Sequence, residues 1–387
     1  MAIRRKNYCE SKSNPVMIEK VKEVYVMSHI PAEPVLTTTV GLSAVAFMVL
    51  VLPFIIKKIE ENLEPFFFVM GLISVTISGL WTWHVVLEAL KAPVMIGSMP
   101  VGIFQVVLVV GLLIHFFNKP FCHLILKIAK TLGSRAFIFL LVAIFGLLSS
   151  VISVILTACL LSEIVAALPL SKKEKIQLIV IACFAAGMGA CLTPLGEPLS
   201  TILVTKLAGP PYYAHFFFPL KVFGIYLIPG VIGLALFGTF WLGPKLSLEK
   251  EAEAAEYSET LRTILVRALK VYVFIAALVL IGEGFRPMMV WYFSKVAPGL
   301  LYWINMISAV LDNATLTAIE IGPAMALPQI IGIIMGLLIS GGMLIPGNIP
   351  NIVSAGRLKI SMKEWAVIGI PSGFLLLVVY FVILYVL

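Results

Sequence analysis

Polar residues are few along this chain and gather between long apolar runs. Val35 to Ile56, Phe66 to Val86 and Val94 to Phe117 each approach the roughly 20 residues a helix needs to cross the hydrocarbon of a bilayer. None alternates apolar and polar positions as a barrel strand would. Phe121 to Lys130, with Lys127 and Lys130 on an otherwise apolar stretch, reads as an interfacial helix. Ala136 to Leu168 is then a 33-residue apolar run, long for one span and short for two spans with a turn. That length predicts a re-entrant hairpin, and Ser149, Ser150, Ser153 and Thr157 at its middle are suited to satisfying a buried turn. Pro298 to Met325 is a second run of this kind, with Asp312 and Asn313 at its middle.

Each hairpin is followed by a span interrupted in mid-membrane. Ile176 to Leu192 runs into Thr193-Pro194-Leu195-Gly196-Glu197-Pro198, and Gln329 to Leu344 runs into Ile345-Pro346-Gly347-Asn348-Ile349-Pro350-Asn351. Prolines and a glycine so closely spaced end a helix, and helix resumes at Leu199 to Leu207 and at Ile352 to Leu358. The two series form a weak internal repeat. Ile152 to Ser162 lies over Ile307 to Thr317, setting Thr157 on Asp312, and the breaks set Pro194 on Pro346 and Gly196 on Gly347. Full spans are expected at Val222 to Trp241 and Thr263 to Gly282, the latter turning the second unit over relative to the first. The expected fold is an all-α polytopic membrane protein, with about eight full spans plus two re-entrant hairpins in an inverted repeat with broken helices. Its parts are a polar tail (1–34), scaffold spans (35–135), a first transport repeat (136–241), a cytoplasmic linker (242–262), a connecting span (263–297) and a second transport repeat (298–387).

Composition agrees: 60% of residues are hydrophobic, 12% are charged and mean hydropathy is +1.07, outside the range of soluble domains. The net charge of +8 does not indicate nucleic acid, because Lys and Arg sit in short loops between apolar runs. Apart from the tail, seventeen fall on the face that holds the linker and five on the other, which makes the linker face cytoplasmic. Both termini then lie outside, against the six Lys and Arg that precede Met27; translation starting at Met27 removes that conflict. Cys9, Cys122, Cys159, Cys183 and Cys191 include no Cys-x-x-Cys pair and read as small core residues.

Two carboxylates stand where the chain is least regular, Asp312 at the second tip and Glu197 in the first break. An ionisable residue at membrane depth marks a substrate or ion path by default; capping of a helix N-terminus is the structural alternative for Asp312. Carboxylate, amide, hydroxyl and freed carbonyl oxygens are what a hard cation prefers. One cation site is expected from Thr157, Thr193, Gly196 and Glu197, and another from Asp312, Asn313, Thr315, Gly347, Asn348 and Asn351. Sodium or another monovalent cation is the expected transported ion, and no cofactor is expected. A carboxylate there can also take a proton when the cation leaves, so cation-for-proton exchange follows. Glu163 and Glu320, on the second arms of their hairpins, suit a structural salt bridge or a wet cavity as well as they suit transport. Glu88 and Glu283 fall near span ends, and His84 and His115 have no partners at ligand spacing. No His-Glu-x-x-His or Gly-x-Ser-x-Gly motif points to an intramembrane hydrolase.

The stretches LDNATLTAIEIGP and GGMLIPGNIPNIVSAGRLKIS resemble the Ion Transporter superfamily, which includes D-type sodium/proton antiporters, arsenite permeases and sodium-coupled dicarboxylate symporters. CLTPLGEPLSTI is similar to a poorly characterised branch described as sodium/proton antiporters or cation transporters. The resemblance covers roughly Phe139 to Leu387. It implies that the hairpins and broken helices move as a transport unit, while the earlier spans serve as scaffold and homodimer contact in the cell membrane. The tips read Thr157-Ala158-Cys159 and Asp312-Asn313-Ala314 rather than the Ser-Asn-Thr of the symporters, which favours cation antiport over an anion permease or sodium-coupled symporter. The expected partners are membrane lipid and small inorganic ions.

Cysteines introduced as Lys172→Cys and Ser361→Cys should both be labelled from the cytoplasmic side by a membrane-impermeant maleimide. Labelling from opposite faces would contradict the inverted arrangement.

Overall fold

The computed structural model describes residues 30–31, 33–60, 62–95, 102, 104–105, 107–109, 111–112, 116, 131–246, 260–309 and 313–387; no strand occurs among them. Its first helices are α1 (Leu36–Ile55), α2 (Leu63–Ser78), α3 (Trp83–Lys91), α4 (Ser134–Ile152), α5 (Val154–Ala167), α6 (Lys172–Ala190), α7 (Pro198–Lys206) and α8 (Phe218–Leu242). Then come α9 (Leu261–Gly284), α10 (Pro298–Ile304), α11 (Asn313–Glu320), α12 (Leu327–Gly341), α13 (Ile349–Leu358) and α14 (Met362–Tyr385). Among the described residues, α1, α4, α8, α9 and α14 are long and apolar enough to cross a bilayer. The chain is an all-helical membrane protein.

Local chemistry sets the helix ends. Ser171 and Glu174 form a capping box at the start of α6, and Ser361 and Glu364 form another at the start of α14. Lys172 reaches Glu364 at 2.5 Å and ties the two starts together. The span expected over Phe66 to Val86 is instead two helices. Gly79 closes α2 in the left-handed conformation (φ 69°), and the Thr82 hydroxyl then accepts from the Val85 amide to open α3. Much of the span expected over Val94 to Phe117, and all of the interfacial helix at Phe121 to Lys130, lies outside the described residues, as do most of the tail and residues 247–259 of the linker.

α4 and α5 meet at Ser153, a non-glycine residue at φ 75°. α4 lies along α6 in the same direction: Ser149 donates to the Ala186 carbonyl at 2.8 Å, and Gly146 packs on Gly189. α5 returns along α6, with Val154 N–H donating to Gly196 O at 2.8 Å and Lys175 reaching Ala166 O. In the second half, α10 and the 3₁₀ turn Asn305–Ala309 lie along α12, Ser308 donating to Leu337 O at 3.0 Å and Ser340 to Asn305 O at 2.8 Å. α11 then doubles back, so that Asn313 sits over Gly341 while Glu320 meets Asn305. The halves interlock: α7 packs on α11, and α13 packs on α5. α8 covers α4 and α6, and α2 packs along α9.

Helices inside a bilayer gain little from burying apolar surface against one another, so close backbone approach at small residues carries their packing. A Cβ at Gly189 would overlap the carbonyl of Gly146, and one at Gly71 would press on α9 at Leu280 and Ala277. Gly189→Ala should therefore lower thermal stability in detergent by about 1–3 kcal/mol through overpacking. Gly233→Ala, on a helix face with nothing within 4 Å, should be neutral or slightly stabilising. Equal effects at the two positions would contradict this packing.

Candidate functional site

Both interrupted helices end the same way. α6 stops at Ala190 and α12 at Gly341, and each chain then bends back so that a glycine six residues on lies against the last carbonyl: Gly196 at Ala190 O and Gly347 at Gly341 O. A side chain at either glycine would push into the helix just ended. The next residue caps the resumed helix in extended backbone, Glu197 at φ −153°, ψ 159° for α7 and Asn348 at φ −151°, ψ 148° for α13. Carbonyls freed at each helix end are met from the resumed helix. Ser200 donates to Cys191 O at 3.0 Å, and Asn351 Nδ2 donates to Gly341 O and Leu344 O, each at 2.8 Å.

In the first half, the break is stitched to the turn between α4 and α5. Thr193 donates to Ser150 O, and Gly196 O accepts the first N–H of α5. Thr157, expected at the tip, lies one turn into α5 with its hydroxyl on Ser153 O at 3.0 Å. The turn itself is Ser153, whose buried hydroxyl has no hydrogen-bond partner among the described residues. Glu197 is 2% exposed although it stands in a helix break.

In the second half, Asp312 lies outside the described residues. Asn313 is the first residue of α11; it is buried against Gly341, and neither polar atom of its amide has a partner among the described residues. Asn351 binds the carbonyl of that same Gly341, and its own Oδ1, fully buried, has no partner there either. Gly347 lies beside the carbonyls of Ser308 and Ala309. Asn348 Oδ1 accepts from Ile349 N–H at 2.8 Å, and its Nδ2 lies against Gly187 of α6, in the other half of the chain. Thr315 is buried on α11. Asn313, Gly341, Gly347 and Asn351 are thus brought together, and Asn348 joins them to the first half.

The oxygens available are mainly neutral carbonyl, amide and hydroxyl groups, a set for a hard, weakly charged cation. No group of three or more His, Cys, Asp or Glu able to hold a metal occurs among the described residues. Glu163 is tied to Arg357, Glu283 to Arg286 at 3.0 Å, and His84 to Glu88 at 3.4 Å. Cys159, Cys183 and Cys191 are buried, while His115, Cys9 and Cys122 lie outside the described residues. Sequence reasoning missed Lys206, whose ammonium donates to Gly282 O and Ala318 O across the contact between α7, α9 and α11. Its partners are backbone carbonyls more than seventy positions away, which no local motif signals.

Residues 39–387 match the family described as protein of unknown function (DUF1646), and the chain belongs to that family. No curated protein matches it.

Asn351→Ala would take its donor from the buried Gly341 carbonyl, at a cost of about 1–3 kcal/mol, and leave Leu344 O with the longer bond from Gly347 N–H. A thermal midpoint unchanged from wild type would show that these hydrogen bonds do not hold the second break.

Proposed function

We propose that this chain, a member of DUF1646, is a secondary active transporter of the cell membrane that exchanges sodium or another monovalent cation for protons. In this reading it is built from two inverted repeats, each a re-entrant hairpin, a broken helix and a full span, and it is not an enzyme. The observation that carries it is the pair of matched helix breaks, with caps of near-equal backbone conformation and with Asn348 of one half against Gly187 of the other. Unwound segments at membrane depth are tolerated where they line a cavity or are buried in protein, and paired ones mark substrate sites in transporters.

Further correspondences support the repeat. Ser149 on Ala186 O has its counterpart in Ser308 on Leu337 O, and the packing of α13 on α5 answers that of α7 on α11. The path of α6 and α7 leads from the end of the molecule holding Lys172 and Glu364 to the end where Lys206 meets Ala318. α12 and α13 lead the other way, ending where Arg357 meets Glu163. Counted from Ser149 and Ser308, Asp312 corresponds to Ser153 rather than to Thr157, and counted from the paired glycines, Glu197 corresponds to Asn348. Each unit then brings one acidic residue to its turn or break, placed differently: Glu197 at the break of the first and Asp312 ahead of α11 in the second.

The cation is the substrate. Asn313, Thr315, Gly347, Asn348 and Asn351 would offer oxygens around it in the second unit, and Thr157, Thr193 and Gly196 in the first, while Asp312 and Glu197 balance its charge. Protons compete for those carboxylates, so lowering the pH through the group's folded-state pKa weakens cation binding. With one proton competing for one cation, apparent sodium affinity falls about tenfold per pH unit below that pKa. The spans ahead of α4 act as scaffold and as the contact of a homodimer.

Asp312→Asn keeps the size and a capping oxygen but cannot bind or release a proton near neutrality. Sodium-dependent thermal stabilisation, measured across pH, should weaken on acidification in wild type and lose part of that dependence in the variant. A wild-type sodium affinity that stays flat with pH would count against competition and for a sodium-coupled symporter of the same architecture.

A further inference from the structure

Most ion-paired acids of the described chain face a cation directly. Glu64 meets Lys270 at 3.5 Å, Glu283 meets Arg286 at 3.0 Å, Glu364 meets Lys172 at 2.5 Å, and Glu163 meets Arg357. Glu320, the last residue of α11, is 4% exposed and has no such partner among the described residues. Its Oε2 accepts instead from the neutral amide of Asn305 at 2.8 Å, and that nitrogen also donates to Leu301 O at 2.9 Å. The Oδ1 of Asn305 is buried without a partner among the described residues.

The charged groups on the elements around α11 are otherwise engaged. Lys206 on α7 donates to Ala318 O and Gly282 O, and Arg286, on the short helix Arg286–Trp291, pairs with Glu283 at the end of α9. Arg262, Arg267 and Lys270 sit toward the opposite end of α9, and α12 carries no charged residue. An ionised Glu320 would be a buried charge held by a single neutral amide, which is strongly disfavoured. Protonated, the same group is an ordinary hydrogen-bonding acid.

Glu320 is also joined to the second break. Asn305 O accepts from Ser340 Oγ at 2.8 Å, the hydroxyl oxygens of Ser340 and Ser308 lie 2.8 Å apart, and Ser308 O lies beside Gly347. We propose that Glu320 is a further proton-carrying carboxyl of the second unit beside Asp312, neutral when the cation site is empty and ionised when a cation is bound. On cation entry its O–H bond breaks, the proton leaves to water and one positive charge replaces another; on cation exit the proton returns. The inference rests on the cation-exchange reading and names a further group that bears an exchanged proton.

Infrared difference spectra of purified protein at neutral pH, with and without sodium, test it. Wild type should lose carbonyl stretches of protonated carboxyls when sodium binds, and Glu320→Gln, which keeps an acceptor for Asn305, should lack one of those bands. Glu320→Asp, which moves the carboxyl, should shift the band, and it serves if the Gln variant fails to fold. Sodium-sensitive bands unchanged from wild type in both variants, or none in wild type, would overturn the proposal. Proteoliposome exchange separates the two ideas: no exchange in wild type defeats the transport reading, whereas equal exchange in wild type and Glu320→Gln defeats this inference alone.

Discussion

A backbone carbonyl or amide freed from a helix inside a bilayer must find a partner in the protein, because no water reaches it. Everything distinctive in this chain follows from meeting that constraint twice. At Gly196 and Gly347 the chain folds back against the carbonyls of the helix it has just left, which a side chain would prevent. Ser200 and Asn351 reach back from the resumed helices to those ends, and Thr193 and Val154 bind the first break to the neighbouring turn. The breaks are held by hydrogen bonds that span separate helices.

The same constraint concentrates polar oxygens where the chemistry is proposed. Amides that satisfy carbonyls on one side leave acceptors on the other: Asn351 gives both its donors to the helix end and keeps a buried oxygen, and Asn313 lies beside it with its whole amide unpaired among the described residues. A neutral, oxygen-rich cluster attracts a cation whose charge a nearby carboxylate can balance. The return arm of each hairpin packs on the resumed helix of the other half, α5 on α13 and α11 on α7, so each break is tied to the other half by direct helix contact.

The helix breaks were legible in the sequence because proline and glycine impose them. The resumed second helix begins three residues before its expected start, since Asn348 can cap it with its own side chain. The turn at Ser153 was not legible to the residue: no glycine marks it, and Ser149, Ser150 and Thr157 are equally plausible by composition. The division of the second expected span at Gly79 was missed because one glycine in an apolar run is weak evidence until its φ is known. The partners of Glu163 and Glu320 could not be read at all. One meets an arginine 194 positions away and the other an amide 15 positions back, and only packing decides which carboxylate is paired.

Cation-for-proton exchange is measured most directly by loading purified protein into liposomes, imposing a pH gradient with the membrane potential clamped, and following labelled sodium. The account predicts sodium accumulation on the acidic side, driven by outward proton flow and independent of any added anion. Sodium movement that ignores the pH gradient, or that requires a co-transported anion, would contradict it.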